Sequence, residues 1–218
     1  MKVCVVIPAF NEGARLKEVV RRTKKAVRNI PIIVVDDGSE IPIRGIGGVT
    51  LLRHQLNLGK GAALKTGAEY AFNAGAGAVI FMDSDGQHDP AELPRFIKLL
   101  RKGYGVVFGS RRPSLDSPFI RLVGNKLASI YMNVVFGIYV SDILSGYRAL
   151  TCQAYRVLKW GSSRYGVETE MVARLGKTGR HLKFMEIPTE RIYIDKYKGV
   201  TIIDAIKTLI STIWWKLY

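Results

Sequence analysis

Apolar and polar positions along the chain alternate between two periods. Short apolar runs bounded by turn formers occupy residues 3–7, 32–36, 49–53, 78–82 and 105–109, and predict buried strands. Between and after them, residues 13–29, 61–74, 91–102, 119–136, 152–159 and 168–179 carry apolar residues at helical spacing. This alternation predicts an α/β fold: a mainly parallel sheet flanked by helices. Residues 40–48 and 110–118 read as loops, and His181–Ile187 and Glu190–Ile194 as two further short strands leading into a basic loop. No repeat or low-complexity linker interrupts the pattern, so residues 1–198 read as one domain.

Residues 199–218 read as a C-terminal amphipathic helix. Ile202, Ile203, Ile206, Leu209, Ile210, Ile213, Trp214 and Leu217 follow helical spacing, while Asp204, Lys207, Thr208, Ser211 and Lys216 fall mostly elsewhere on the wheel. Trp214, Trp215 and Tyr218 cluster at its end, and such residues favour the membrane–water interface. A terminal helix packed on its own domain, or against a protein partner, gives the same pattern.

In sheets of this kind ligands bind outside the carboxyl ends of the strands. Three polar clusters fall there: Pro8 to Glu12, Asp36-Asp37-Gly38-Ser39, and Asp83 to Gln87. In the third, an apolar run stops at two carboxylates one residue apart, and side chains at i and i+2 of an extended backbone point the same way. Asp83 and Asp85 would then repel unless a cation sits between them, and hard oxygen ligands suit Mg²⁺ or Mn²⁺ and, through these, substrate phosphates. The alternative is a polar turn in which the aspartates cap the helix after Pro90.

Composition narrows the field. A 48% hydrophobic content supports a full core and argues against disorder. Two cysteines, Cys4 and Cys152, make no metal or disulfide framework and fit a reducing compartment. The chain opens directly on a strand, so no signal peptide is expected, and no run reaches the ~18 apolar residues of a membrane span. The 33 basic and 18 acidic residues leave a net charge of +15, which seeks nucleic acid, acidic lipid head groups or phosphorylated substrates. The non-enzyme alternative is a basic nucleic-acid-binding module; acidic strand ends argue against it by repelling a phosphate backbone, so no nucleic-acid partner is expected. Pro8-Ala-Phe-Asn-Glu-Gly13 does not match the dinucleotide fingerprint, and Gly59-Lys60-Gly61 does not match a P-loop.

Together these segments resemble the family-2 glycosyltransferases of GT-A nucleotide-sugar-binding fold, and more narrowly the dolichol-phosphate mannose synthases and related polyprenyl-phosphate hexosyltransferases. The resembling motifs are Val6-Ile7-Pro8-Ala9-Phe10-Asn11-Glu12, Val34-Val35-Asp36-Asp37-Gly38-Ser39, Asn57-Leu-Gly59-Lys60-Gly61, Met82-Asp83-Ser84-Asp85-Gly86-Gln87-His88-Asp89-Pro90, Phe108-Gly109-Ser110-Arg111 and Asp142-Ile-Leu-Ser145-Gly146-Tyr147-Arg148. They run in order from residue 3 to about 190.

The resemblance implies roles. Pro8, Phe10, Glu12, Val35 and Asp37 would hold the nucleoside. Lys60, Asp83, Ser84, Asp85 and Gln87 would meet the diphosphate, with Mg²⁺ or Mn²⁺ on Asp83, Asp85 and Gln87. Asp85, Arg111 and Arg148 would form the catalytic set, Arg148 being the main candidate for the acceptor phosphate and Arg191 and Lys198 weaker ones. Phe10 departs from the tyrosine often found there, keeping a ring but losing a hydroxyl.

The implied reaction is metal-dependent transfer of a hexose, mannose from GDP-mannose foremost, to a dolichyl or polyprenyl monophosphate with inversion. It would run at the cytoplasmic membrane face, on a peripheral protein, with a membrane partner subunit as a further partner the resemblance allows. A UDP-glucose donor or a hydroxyl acceptor remains an alternative. In the latter case Glu168 or Glu170 is a candidate base, each being equally a helix-dipole carboxylate. His88 is either near the metal or structural at the helix entry.

Overall fold

The structure, a computed structural model, describes residues 1–112, 119–164, 166–190 and 210–216. Seven strands form one sheet: β1 (Val3–Ala9), β2 (Ile32–Asp36), β3 (Thr50–Arg53), β4 (Ala78–Phe81), β5 (Val106–Arg111), β6 (Arg148–Thr151) and β7 (Phe184–Thr189), in the order β3-β2-β1-β4-β6-β5-β7. The helices are α1 (Gly13–Ala26), α2 (Lys60–Asn73), α3 (Leu93–Arg101, after a 3-10 turn at Pro90–Glu92), α4 (Phe119–Phe136), α5 (Cys152–Leu158) and α6 (Val167–Lys177). Residues 210–216 are also helical.

Strand side chains sort by parity, as an extended backbone requires. Cys4, Val6, Ile33, Val35, Val79 and Phe81 face a core built with α2, α4, α5 and α6. Val3, Val5, Ile7, Ile32, Val34, Ala78 and Ile80 face a second core, closed by α1 and α3. Both faces of β1, β2 and β4 are therefore buried, which is why these strands are continuous apolar runs.

The expected mainly parallel sheet is present, with one departure that matters for the site. The motif segment before residue 148 leads into β6, which sequence patterning does not single out. β6 runs antiparallel between β4 and β5, with Arg148 opposite both Phe81 and Phe108. Its reversed direction brings Ser145-Gly146-Tyr147 to the edge where β4 and β5 end. The strand expected over His181–Ile187 is present as β7, shifted to Phe184–Thr189 and paired in parallel with β5. The predicted strand residues 191–194, the basic candidates Arg191 and Lys198, the loop residues 113–118 and tail residues 199–209, 217 and 218 lie outside the described residues.

Candidate active site

The exit of β1 is built as a turn. Asn11 sits at φ 56°, a left-handed conformation that Asn tolerates. Its side chain accepts from Glu40 N (3.0 Å), and its own N–H donates to Ser39 Oγ (3.0 Å). Pro8 lies in the buried strand, and Phe10, 43% exposed, stands at the rim. Glu12 immediately precedes α1 and faces Arg15 at 3.9 Å.

The two aspartates after β2 divide the work. Asp36 accepts from Ser39 N (2.9 Å), Ile43 N (3.2 Å) and the Arg53 guanidinium. Burial pushes its carboxyl up, but these donors outweigh burial and hold it below the usual range. Asp37 accepts from Leu58 N (3.0 Å) and Gly59 N (2.8 Å) and meets His54 Nδ1 at 2.7 Å. Both Asp37 oxygens thus fix the loop that launches α2. Gly59 takes φ 97° there, and a Cβ would sit 2.6 Å from Ser163 O, so the loop passes tightly beneath residues 162–164. Val35 is a fully buried core residue.

Lys60, first residue of α2, is thereby aimed across the edge. Its Nζ lies 2.7 Å from Asp83 Oδ1 and 2.8 Å from Glu168 Oε1. Burial alone would push the ammonium pKa down; the two carboxylates outweigh it and raise it. On Asp83 burial pushes up, and Lys60, with His88 and Arg111 helping, pulls the carboxyl down to about 2. Asp83 is therefore ionised at any physiological pH. Gly146 makes the ion pair possible: a Cβ there would lie 2.7 Å from both Asp83 Oδ2 and Lys60 Nζ.

Asp85 folds the loop, accepting from Gln87 N and Gln87 Nε2, each at 2.9 Å. Ser84 is buried. His88 accepts from Asp83 N at 3.2 Å through Nδ1 and stacks on Tyr147, which stacks on Phe96 (ring centroids 4.9 and 4.4 Å apart). Burial lowers its pKa against the pull of Asp83 and Asp85, so the ring is neutral near pH 7. Helix capping falls to Asp89, whose Oδ1 accepts from Ala91 N.

Arg111, at the end of β5, makes a bidentate pair with Asp142: Nε to Oδ2 and Nη2 to Oδ1, both 2.6 Å. The Arg111 N–H donates to Oδ2 as well (3.0 Å). Burial raises the Asp142 pKa, but Arg111 more than reverses that.

Arg148 does not stand where a phosphate ligand would. It is 1% exposed, and its guanidinium donates to the carbonyls of Ser145 (2.8 Å), Glu168 (2.6 Å) and Ile143, with Phe108 beneath it at 5.0 Å. Pairing with Phe81 and Phe108 in β6 turns the side chain inward, and burial lowers its pKa to about 10. Glu170 is likewise internal, accepting from Gly161 N (2.9 Å), Ser162 N (2.8 Å) and Arg174 (2.7 Å). Glu168 is the acid that reaches the cluster. Its contact with Lys60 joins residues from distant elements and leaves no local sequence signal.

The edge thus holds Asp83, Asp85, Lys60, Glu168, His88 and Arg111 together. Among the described residues, no group of three or more His, Cys, Asp and Glu side chains is arranged to grip a metal alone. Two hard carboxylates on one loop fit an ion that takes its other ligands from phosphates and water.

Such a carboxylate loop at the end of a central strand, beside a lysine at a helix start, has the chemistry to hold a cation and phosphates together, and the chain belongs to glycosyl transferase family 2, whose model matches residues 4–157. It is similar to the undecaprenyl-phosphate mannosyltransferase of Micrococcus luteus (29% identical; 86% of this chain, 82% of that one). It is also similar to the UDP-N-acetylglucosamine–dolichyl-phosphate N-acetylglucosaminyltransferase of Methanococcus voltae (28% identical; 88% of this chain, 86% of that one). In fold it matches glucosyl-3-phosphoglycerate synthase of Mycobacterium tuberculosis, crystallised with Mn²⁺, UDP-glucose and phosphoglyceric acid, with a TM-score of 0.73 and 18% identity over 99% of this chain and 79% of that one. The protein is a glycosyltransferase with a GT-A-like fold.

Proposed function

We propose that this protein transfers a hexose from a nucleotide sugar to a polyprenyl or dolichyl monophosphate at the cytoplasmic face of a membrane, with mannose from GDP-mannose as the first donor. The relatives' lipid-phosphate acceptors support the acceptor class, and the mannosyltransferase among them supports the sugar.

The observation that carries the reading is the state of the two acids suited to be a base. Glu168 is paired with Lys60, and Glu170 is held by two amides and Arg174. A sugar hydroxyl must lose a proton to attack. A phosphate monoester, with a second pKa of about 6, is already anionic near neutrality and needs no base. Asp83 and Asp85, with Gln87, would hold Mg²⁺ or Mn²⁺, which when bound neutralises charge on the departing diphosphate. Lys60, kept charged by its two carboxylates, presents a cation to the same phosphates. Pro8, Phe10 and Glu12 line the nucleoside end, and Asp37 acts there by holding the Lys60 loop. Arg111 replaces Arg148 as the arginine offered to an acceptor phosphate.

The test is transfer to polyprenyl phosphate from GDP-mannose, UDP-glucose or UDP-N-acetylglucosamine, with Mn²⁺ or with chelator, alongside thermal shift of an Asp85→Ala variant. Lipid-linked mannose formed only with divalent ion, and loss of metal-dependent donor stabilisation in the folded variant, are expected. Transfer from a UDP-sugar alone would overturn the donor, and transfer to a sugar hydroxyl instead of the lipid would overturn the acceptor.

A further inference from the structure

The loop between β3 and α2 carries Lys60 to the sheet edge, and its side chains give it little apolar anchorage. Residues 55–58 are all exposed, Leu56 and Leu58 among them at 73% and 49%. Its anchors are polar. Asp37 accepts from the amides of Leu58 and Gly59, and a third contact comes from the first residue of the loop, His54, whose Nδ1 lies 2.7 Å from Asp37 Oδ1. The other ring nitrogen, Nε2, lies 2.9 Å from Thr66 Oγ1 on α2. Both side chains are enclosed, His54 at 10% exposure and Asp37 at 4%.

The two ends of this bridge hold different things. Thr66 belongs to the part of α2 that rests directly on the sheet. Its neighbour Gly67 comes so close that a Cβ there would sit 2.3 Å from Val6 Cγ1 and 3.2 Å from Val35 Cγ2. Asp37 holds the amide of Gly59, the residue before Lys60. His54 thus ties the seated body of the helix to its launch, about 9 Å apart along the axis at 1.5 Å per residue. Imidazole suits the task. Nδ1 faces a carboxylate and therefore donates, while Nε2 meets a hydroxyl, which can donate or accept as the ring requires. The planar ring keeps its two partners at a fixed separation.

We propose that His54 is a positioning residue for the transfer reaction: through Asp37 and Thr66 it fixes the point from which Lys60 reaches the donor diphosphate. The inference rests on the reading of Lys60 as a diphosphate contact given above. His54 acts on the phosphates through Lys60, because its own ring is committed to Asp37 and Thr66. Loss of the bridge leaves the ammonium in place as a charge but loosens the start of α2, and a binding group must be held to within about 0.5 Å to keep its contact.

The test is a double-mutant cycle on the full chain, read by calorimetric titration with GDP and with UDP, each in Mn²⁺, so that the identity of the base does not decide the readout. His54→Phe keeps a ring and removes both hydrogen bonds. It should weaken binding of the preferred diphosphate about tenfold, and the same substitution in a Lys60→Met background should change it less than about twofold. His54→Asn, which keeps a donor toward Asp37 and gives up the reach to Thr66, should fall between wild type and His54→Phe. Equal weakening with and without Lys60 would overturn the proposal, because a residue that merely supports the fold acts in both backgrounds. Unchanged affinity in His54→Phe would overturn it too, with the donor reading left standing. If the wild type binds neither diphosphate, the donor reading fails and the inference falls with it. Should His54→Phe not fold, Thr66→Val carries the same cycle. It removes one hydroxyl and should give a roughly threefold loss that again vanishes without Lys60; no loss would overturn the proposal.

Discussion

Two ion-pair systems face each other across the sheet edge, and they are built differently. In one, Lys60 is shared between Asp83 and Glu168 through single contacts of 2.7 and 2.8 Å, with roughly a fifth of the lysine side chain still exposed (22%). In the other, Arg111 and Asp142 are joined by two parallel contacts of 2.6 Å plus a backbone N–H, and Asp142 is nearly enclosed (6%). A point-charge ammonium between two acids can release one of them at small geometric cost, whereas a planar fork on a carboxylate is pre-shaped and hard to redirect. The lysine system is suited to exchange partners, as the proposed binding of phosphates and a cation there requires. The arginine system is suited to hold the β5 end and the 141–146 segment in place while offering its outer edge. Behind both, Arg148 donates to backbone carbonyls over the Phe108 ring.

That ranking can be broken at its most rigid point first. Replacing Arg148 with Met strands three buried carbonyls, those of Ser145, Glu168 and Ile143. A loss of about 3–5 kcal/mol in urea unfolding is expected, comparable to removing one partner of a buried charged network. A variant that unfolds like the wild type but no longer binds acceptor phosphate would return Arg148 to the role its motif suggests and refute the internal one.

The exchangeable system should respond differently. In Lys60→Met, Asp83 and Glu168 keep their positions around the place where Nζ stood, with no cation between them. The partial exposure of the cluster limits the loss to about 1–3 kcal/mol. Divalent cation should then stabilise the variant more than the wild type, by about 2–4 °C in melting temperature for each kcal/mol recovered. Identical Mn²⁺ shifts in the two proteins would mean that Lys60 and a metal do not compete for Asp83, and that the cluster is as fixed as the arginine pair.

How much of this was legible in the sequence follows from the range of each interaction. The alternating strands and helices announce themselves locally, because strands buried on both faces must be apolar throughout and the helices that cover them must be amphipathic. The convergence of Pro8–Glu12, Asp36–Asp37 and Asp83–Gln87 on one edge follows from parallel topology alone. β6 escapes because it is four residues long and begins with an arginine, Arg148-Ala-Leu-Thr151, which reads as an exposed loop. Once that strand slots between β4 and β5, the arginine must point into the interior, so a motif that suggests phosphate contact yields a buried structural cation. Asp37 is similar: its position at the carboxyl edge of the sheet is readable, but its use by the amides of Leu58 and Gly59 depends on where the following loop folds back. The Glu168 contact with Lys60 requires α6 and α2 to meet, which no periodicity reports.

The smallest expected effect sharpens the comparison from the arginine side and turns on pH. Asp142 has its folded pKa lowered, because Arg111 outweighs the penalty of burial. A carboxylate of this kind stabilises the fold at pH values above its unfolded pKa of about 3.9, and the contribution is lost as pH falls through the lower folded value. Wild-type stability should therefore decline on acidification below about pH 4. Asp142→Asn should cost no more than about 1–2 kcal/mol near neutrality, since the amide oxygen still accepts from Arg111 and the guanidinium is partly exposed. Its acid decline should be shallower, so the two unfolding curves converge as pH drops. Asp36 and Glu170, also held low by their donors, keep acid sensitivity in both proteins, so the difference between the curves isolates Asp142. Parallel acid declines would show that packing of the 141–146 segment, and not the bidentate pair, fixes Arg111. The arginine system would then be as open to exchange as the lysine one.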